Sequence, residues 1–308
     1  MTIPPPGIHG GDGPAVAAAL GIDPAALLDL SVSLNPFAPD VRAAARRQLD
    51  ALTHYPDADA AACALAAAID VDVERLVLTN GGAEAIALVA GELGAGWVDE
   101  PDFALYRRHL PVVRRGAPRW RSNPHNPTGR LVAADETAAV WDEAFYPLAT
   151  GRWTRGDAGA VVVGSLTKLF ACPGLRLGYV LASQGAFADR LRARQPRWAV
   201  NGLAAAMLPG LLELADLPGW ANGVAALRAD LVAVLRAHGL RPRRSDAPFV
   251  LVDGAAGLRD RLAPLGIVVR DCASFGLADC ARMAVPGPDG LARLDRALRV
   301  VAATEVPV

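Results

Sequence analysis

The sequence predicts an α/β protein with a mostly parallel central sheet flanked by helices, and a small α+β domain beside it. The chain of 308 residues is 52% hydrophobic and 20% charged, which is enough apolar material for a large buried core. Short apolar runs alternate with helical patterns in the middle of the chain, as they do in βαβ units. In the last quarter the predicted order of elements is strand, helix, strand, strand and helix. We therefore expect a large domain over residues 36–200 and a small domain formed by residues 1–35 and 201–308.

The first half of the chain passes from a loop-rich start into alternating helices and strands. Pro and Gly breakers are frequent over residues 1–36, which contain one short helical pattern. Short apolar runs between helical patterns are typical of buried parallel strands. The predicted elements are helices 14–20, 41–52 and 60–69, strand 76–79, helix 83–93 behind a Gly-Gly turn, and strands 96–98, 139–141 and 160–164.

The second half begins with longer helical patterns and ends with a mixture of short elements. Apolar residues recur at helical spacing after residue 186, and β-branched runs return after residue 249. The predicted elements are helices 186–194, 202–215 and 220–238, strand 249–252, helix 258–265, strands 267–270 and 282–285, and helix 291–301.

Composition excludes several classes of function. Lys and Arg number 31 and Asp and Glu 32, so a net charge of -1 gives no general attraction to nucleic acid or to an anionic membrane. No apolar run is long enough for a membrane helix, and the first residues lack the basic and apolar regions of an export signal. The four cysteines show no C-x-x-C spacing. This argues against a zinc site and against a disulfide framework. We expect a cytoplasmic protein.

One basic segment stands out against this balanced charge. Residues 107–121 carry six arginines. A patch that binds nucleic acid is one interpretation, but a solvated loop is the interpretation that we favour. We therefore expect no nucleic-acid partner.

The chain contains thirty arginines and a single lysine, Lys168. Arginine replaces lysine wherever only a positive charge is needed, but it stays protonated and cannot act as an amine nucleophile. Lys168 is therefore a candidate for amine chemistry; the alternative is chance in a lysine-poor composition. Ser165 and Thr167 precede it at the end of a predicted strand, and Arg176 follows. These groups suit a phosphate-bearing aldehyde that condenses with an amine, such as pyridoxal phosphate (PLP).

Three further segments carry polar groups where an α/β protein binds ligands. Asp142 ends a predicted strand, and a carboxylate there can hold the pyridine nitrogen of PLP protonated; a helix N-cap is the alternative. The loop Asn-Pro-His-Asn-Pro-Thr-Gly at 123–129 is rigid enough to offer the amide of Asn126 to a ligand. The Gly-Gly turn at 81–82 opens a predicted helix, whose first N–H groups form a phosphate site.

These four segments, in this order, resemble the PLP-dependent transferases of fold type I. The resemblance is to the class that includes the histidinol-phosphate aminotransferases, and within it to the threonine-phosphate decarboxylases. It runs from about residue 9 to about residue 286. The motifs that favour the decarboxylases are His-Gly-Gly at 9–11, Ser-Leu-Asn-Pro at 33–36, and the segments 165–178, 195–201 and 270–276. Phe145 also fits them, since the aminotransferases usually have Tyr at this place.

The resemblance implies a role for each matching residue. Lys168 would bond covalently to PLP, Asp142 would hold the pyridine nitrogen, Asn126 would hold the ring hydroxyl, and Phe103 would stack on the ring. Gly82, Ala83, Ser165 and Arg176 would hold the cofactor phosphate, and Tyr55 would reach the cofactor phosphate of the other subunit in a homodimer. The residues expected to contact a phosphorylated amino acid substrate are His9, Asn35, Arg270 and Arg282, with Arg282 clamping the α-carboxylate.

The implied reaction is decarboxylation of L-threonine O-3-phosphate to (R)-1-aminopropan-2-yl phosphate in cobalamin biosynthesis. The alternatives are an aminotransferase of the histidinol-phosphate type and a relative that has become a non-catalytic partner protein. Two connections, from Phe103 to Asn126 and from Gly129 to Asp142, look short for the family. A helix missing from one face of the sheet would expose apolar surface. We expect the partner subunit to cover that surface, or the protein to be less stable.

Overall fold

The computed structural model describes residues 3–156 and 159–304. The α-helices are α1 Gly13–Leu20, α2 Val41–Arg47, α3 Asp59–Ile69, α4 Gly81–Leu93, α5 Leu105–His109, α6 Tyr146–Thr150, α7 Leu166–Leu169, α8 Gly185–Arg194, α9 Gly202–Glu213, α10 Leu217–Ala237, α11 Leu258–Leu262 and α12 Pro288–Thr304. The strands are β1 Leu28–Asp29, β2 Leu76–Asn80, β3 Ala95–Val98, β4 Val112–Val113, β5 Arg119–Ser122, β6 Val140–Asp142, β7 Val161–Ser165, β8 Leu177–Leu181, β9 Arg241–Pro242, β10 Phe249–Asp253, β11 Ile267–Val268, β12 Arg270–Asp271 and β13 Cys280–Ala284.

A central sheet has the strand order β2-β8-β7-β6-β5-β3-β4. Strands β3 to β7 pair in parallel, whereas β8 pairs antiparallel with both β7 and β2. This confirms the predicted α/β class and the mostly parallel sheet. Because β5, β6 and β7 run side by side in the same direction, their carboxyl ends meet at one edge, where α/β proteins bind ligands. Ser122 is in register with Asp142, which brings two of the strand-end residues together.

Helices cover both faces of the central sheet. On one face, α4 and α8 pack with Val77, Val163 and Val180 in one apolar cluster. On the other face, α3 and α9 pack with Leu78 and Tyr179 in a second cluster. Helix α9 lies in this second cluster although it follows residue 200, where the predicted large domain ends. The division into 36–200 and 1–35 with 201–308 itself stays a prediction.

The C-terminal part of the chain forms a smaller, antiparallel sheet with the order β12-β13-β10-β9. Helices α10 and α12 cover it and share an apolar cluster with its strands. The N-terminal residues join this part, because β1 pairs in parallel with β11. Residues 267–270, predicted as one strand, are divided between β11 and β12, which belong to two different sheets. None of the helices in the described ranges is long and apolar enough to span a membrane.

The basic segment at 107–121 is a solvated loop only in part: residues 114–118 are loop, and Arg107, Arg108, Arg114 and Arg115 are exposed. The expectation was wrong for the end of the segment. Residues 119–122 form β5, and the Trp120 side chain is completely buried between the sheet and Tyr106. Arg119 forms ion pairs with Asp99 and Glu136, each at 2.8 Å. Alternating Arg and apolar residues here are the two faces of a strand, one ion-paired and one in the core.

The short connection before Asp142 leaves no apolar face open at β6. The ring of Trp141 is fully buried, and the guanidinium of Arg155 lies 4.8 Å from its centre. The same guanidinium donates hydrogen bonds to the carbonyls of Ala133, Ala134 and Glu136, at 3.2, 2.7 and 2.7 Å. Arg155 thus fastens a helix-free loop over the sheet, and the expected exposure of apolar surface does not occur at this strand.

Candidate active site

A cavity of about 390 Å³ lies at the carboxyl ends of β5, β6 and β7. It collects side chains from the central sheet, from the small antiparallel sheet and from the N-terminal loop. Most of the residues predicted from the sequence meet here. Those that line the cavity are His9, Gly82, Ala83, Phe103, Asn126, Asp142, Ser165, Lys168, Arg176, Arg270 and Arg282.

One end of the cavity is built for an anion. Helix α4 begins at Gly81, so the first N–H groups of the helix point toward this end. Gly81 has φ +77°, and a Cβ added to it would lie 2.5 Å from Arg176 Nη2, so only glycine lets Arg176 lie across the helix start. The hydroxyls of Ser165 and Thr167 are 2.8 Å apart beside it. Backbone N–H groups, hydroxyls and a guanidinium are the donors that a phosphate needs.

Asp142 is a buried acid at the end of β6. Its Oδ2 accepts a 2.8 Å hydrogen bond from Tyr106 Oη, and its Oδ1 accepts one from the Ala144 N–H at 3.0 Å. Burial raises the pKa of Asp142, and these two donors act against that rise. Among the described residues no cation pairs with this carboxylate. A cationic group on a ligand would therefore be held strongly here.

Lys168 enters the same cavity from the junction of β7 and α7. The pKa of Lys168 is lowered to about 8, first by burial and then by the nearby charges of Arg282, Arg176 and Arg270. No acid within the described ranges forms an ion pair with its amine. A substantial fraction of the amine is therefore neutral near pH 8, which is the form that attacks a carbonyl.

Arg270 and Arg282 face each other across β12 and β13 and present two guanidinium groups to the cavity. Arg282 Nη1 donates a 2.6 Å hydrogen bond to Asn126 Oδ1, and its guanidinium lies 4.5 Å from the ring centre of Phe249. Burial lowers the pKa of Arg282 to about 9, and the charge of Arg270 contributes. In the described part of the chain neither arginine is paired with an acid.

These donors and charges fit PLP. Asp142 would offer a carboxylate to the ring nitrogen, and Lys168 would offer a neutral amine to the aldehyde. Asn126 uses its oxygen for Arg282, so its amide N–H₂ remains to donate to the ring hydroxyl. The anion site at Gly82, Ala83, Ser165 and Arg176 suits the phosphate. In residues 3–156 and 159–304 no three His, Cys, Asp or Glu side chains are grouped as they would be to hold a metal ion.

Two residues predicted for the site do not line this cavity. Tyr55 is 79% exposed and stacks on Trp198, with ring centres 4.5 Å apart. Asn35 is buried, but Nδ2 donates to the Leu169 carbonyl at 2.9 Å and Oδ1 accepts from the Phe37 N–H at 3.0 Å. Asn35 therefore holds the backbone beside Lys168 in place. A role for Tyr55 in a partner's site stays a prediction.

Sequence reasoning missed other polar groups that belong to the site. Tyr106 supports Asp142, and its position three residues after Phe103 at the start of a short helix is a signal that could have indicated it. Ser33 lines the cavity with a hydroxyl that has no partner among the described residues. Asp102 is buried next to Phe103 and contacts Ser122.

Comparison with known proteins agrees with this geometry. The sequence model of the family described as aminotransferase class I and II matches residues 120–300. The threonine-phosphate decarboxylase of Salmonella typhimurium is 34% identical over 257 residues, covering 68% of this chain and 70% of that protein. The histidinol-phosphate aminotransferase of Symbiobacterium thermophilum is 31% identical over 327 residues, covering 89% of this chain and 90% of that protein.

A solved structure shows the same fold. The histidinol-phosphate aminotransferase of Sinorhizobium meliloti, in complex with pyridoxal-5'-phosphate, has a TM-score of 0.84 at 18% identity, covering 99% of this chain and 96% of that chain. The cavity described above offers a place for each polar group of the same cofactor. The family match and the identity to curated relatives lead to one conclusion: this chain belongs to the aminotransferase class I and II family and is a PLP-dependent enzyme.

Proposed function

We propose that the protein decarboxylates L-threonine O-3-phosphate to (R)-1-aminopropan-2-yl phosphate, a step of cobalamin biosynthesis. The observation that carries this proposal is an excess of unpaired donors on the substrate side of the cavity. Arg270 and Arg282 lack acidic partners among the described residues, and His9 Nδ1, Ser33 Oγ and Arg270 Nε are buried there without a hydrogen-bond partner. A phosphorylated amino acid carries two anionic groups, a carboxylate and a phosphate, that would satisfy these donors.

The residues of the chain would control the reaction by orientation. PLP, when bound, supplies an electron sink for the bond that breaks at the α-carbon of the substrate. Arg282 would hold the α-carboxylate, and Arg270 with His9 would hold the phosphate. With its carboxylate and its phosphate both held, the substrate would have a fixed orientation. That orientation would decide which bond of the α-carbon stands perpendicular to the cofactor ring, and the perpendicular bond is the one that breaks. Lys168 Nζ would deliver the proton that replaces the departing carbon dioxide.

An aminotransferase of the histidinol-phosphate type is the second candidate. The curated aminotransferase relative covers more of this chain than the decarboxylase relative does. Histidinol phosphate has a phosphate but no carboxylate, so while it is bound it would leave one of the two guanidinium groups without an anion; 2-oxoglutarate would supply a carboxylate in the other half of the reaction. Phe145, which packs edge-on against Phe249 at 5.2 Å, also favours decarboxylation over transamination through the family resemblance.

We also propose that two copies form a homodimer in which Tyr55 reaches the partner's cofactor phosphate. The exposed, stacked pair of Tyr55 and Trp198 is the surface feature that supports this arrangement. A cytoplasmic location remains an expectation of the sequence.

The reaction can be tested with substrate labelled at the carboxyl carbon. Purified protein with PLP is incubated with L-threonine O-3-phosphate, and carbon dioxide release is followed together with the phosphorus NMR signal of the product. A parallel incubation uses histidinol phosphate with 2-oxoglutarate and measures glutamate. We expect carbon dioxide and an aminopropanol phosphate in the first incubation and little glutamate in the second. Glutamate without carbon dioxide would overturn the proposal in favour of the aminotransferase.

A further inference from the structure

Asp102 is a buried acid for which the chemistry above has no role. It is 2% exposed and stands between Pro101 and Phe103, just before α5. Among the described residues no cation forms an ion pair with it. Burial raises the pKa of Asp102 to about 7, against the effect of donors from Ser122 and Phe103. Burying a carboxyl group without a cation costs free energy of folding, so the position of Asp102 needs a structural or functional explanation.

The hydrogen bonds of Asp102 connect two parts of the cavity wall. Its Oδ1 accepts from Ser122 Oγ at 2.5 Å and from the Phe103 N–H at 2.7 Å, and its Oδ2 accepts from the Ser122 N–H at 3.2 Å. The Ser122 hydroxyl in turn accepts a 2.8 Å hydrogen bond from the Asn126 N–H. One carboxyl group therefore fastens the backbone of Phe103 directly and that of Asn126 through a single hydroxyl.

Phe103 and Asn126 are the two side chains proposed to meet the face of the cofactor ring and its hydroxyl. Phe103 has edge contacts with the rings of His9 and Tyr106, at 5.5 and 5.8 Å, and these contacts limit its tilt. Asn126 is oriented by Arg282. The path through Asp102 and Ser122 joins the backbones of residues 103 and 126. The neighbouring residues are joined as well, because His125 Nε2 lies 2.7 Å from the Pro101 carbonyl oxygen. Together the two links set the distance between Phe103 and Asn126.

We propose that Asp102, acting through Ser122, is a positioning residue that holds Phe103 and Asn126 in the relative placement required to seat the PLP ring. Asp102 does not touch the cofactor in this proposal. Its role rests on the cofactor contacts proposed for Phe103 and Asn126, and it is independent of whether the reaction is a decarboxylation or a transamination. Because hydrogen bonds to a carboxylate are stronger than neutral ones, an acid fixes the two segments better than an amide would.

The test compares Asp102→Asn, Ser122→Ala and the wild type as apoproteins titrated with PLP. Asp40→Ala is the matched control, because Asp40 also accepts two N–H hydrogen bonds, from Arg42 and Ala43, but caps α2 away from the cavity. The readouts are the PLP dissociation constant from quenching of tryptophan fluorescence, the circular dichroism of the bound cofactor in the visible range, and the apoprotein melting temperature. The dichroism reports how firmly the ring is held, and a merely structural role would leave it unchanged.

We expect both site variants to bind PLP about tenfold more weakly, the effect of losing one charge-assisted hydrogen bond. At saturation their dichroism per bound cofactor should be weaker. Asp40→Ala should have a lower melting temperature but an unchanged PLP affinity and dichroism. If Asp102→Asn does not fold, Ser122→Ala still tests the inference. Unchanged affinity and dichroism in Ser122→Ala would overturn the inference. If the wild type bound PLP but did not act on threonine phosphate, the proposed function would fail and this inference would stand.

Discussion

Arg282 is predicted to reduce the stability of the apoprotein while being needed for substrate binding. It is buried beside Lys168 and Arg270, and in the described structure no acid balances it. Burial lowers the pKa of Arg282 to about 9 from 12.5, and a lowering of this size corresponds to about 4–5 kcal/mol against the charged form. Methionine has a similar length without the charge. The free-energy penalty that Arg282→Met removes should therefore be larger than the free energy of the contacts that it loses.

The contacts that Arg282→Met loses are the hydrogen bond to Asn126 and the cation–π contact with Phe249, together worth about 2–3 kcal/mol. The net expectation is a gain of about 1–3 kcal/mol in the free energy of unfolding, or about 2–5 °C in melting temperature. An arginine whose pKa is lowered on folding destabilises the fold fully at pH values below its folded pKa. The gain should therefore be present in full at neutral pH.

The same variant should lose about 100-fold or more in kcat/KM, because the substrate carboxylate would face no cation. The assays are thermal unfolding of the apoprotein and carbon dioxide release from threonine phosphate. Arg228→Met is the control, since Arg228 is a half-buried arginine of α10 that donates to the carbonyls of Asp246 and Ala247, away from the cavity. It should lower the melting temperature and leave kcat/KM unchanged. A less stable Arg282→Met protein with kcat/KM within about tenfold of wild type would refute the reasoning.

Three other predictions follow from the same geometry. The rate of PLP uptake by the apoprotein should rise with pH, with a midpoint near pH 8, where half of the amine of Lys168 is neutral. Arg282→Met removes a cation that lowers this pKa, and it should move the midpoint to higher pH in stopped-flow absorbance. Tyr106→Phe removes a hydrogen bond that stabilises the Asp142 carboxylate. The loss of PLP affinity on acidification should then begin at a higher pH than in wild type, and titrations at several pH values that superimpose on wild type would contradict this. Arg155→Ala removes three hydrogen bonds to the loop over β6 and should cost about 2–4 kcal/mol in urea unfolding, whereas a change below about 0.5 kcal/mol would mean that the loop is held by other contacts.

The parts of the site that the sequence could predict depend on short segments at strand ends. Lys168, Asp142 and Asn126 each follow or end a strand of the parallel region, and parallel strands bring their carboxyl ends together. The chemistry of each side chain, together with the family resemblance, was then enough to assign a role. Arg176 was predictable because it lies only eight residues after Lys168 in the same segment.

The parts that escaped prediction depend on contacts between distant segments. The hydrogen bond from Tyr106 to Asp142 spans 36 residues, and the bond from Ser122 to Asp102 spans 20. Asn35 differs from the prediction for the opposite reason: its motif suggested a ligand contact, whereas its amide forms hydrogen bonds with the backbone of Leu169 and Phe37. No strand was predicted over β8. Its antiparallel direction could not have been predicted either, since an apolar run indicates burial but not whether a strand runs parallel or antiparallel to its neighbours.

The composition of the chain allows the central claim to be tested by mass spectrometry. Lys168 is the only lysine, and the proposal that it bonds PLP rests on its neutral amine in a cavity that fits the cofactor. Wild type and Lys168→Ala are incubated with PLP, reduced with borohydride and measured as intact proteins and as peptides. We predict that wild type gains one phosphopyridoxyl group on the peptide containing residue 168 and that Lys168→Ala gains none. An unmodified wild type, or equal modification of both proteins, would contradict the account.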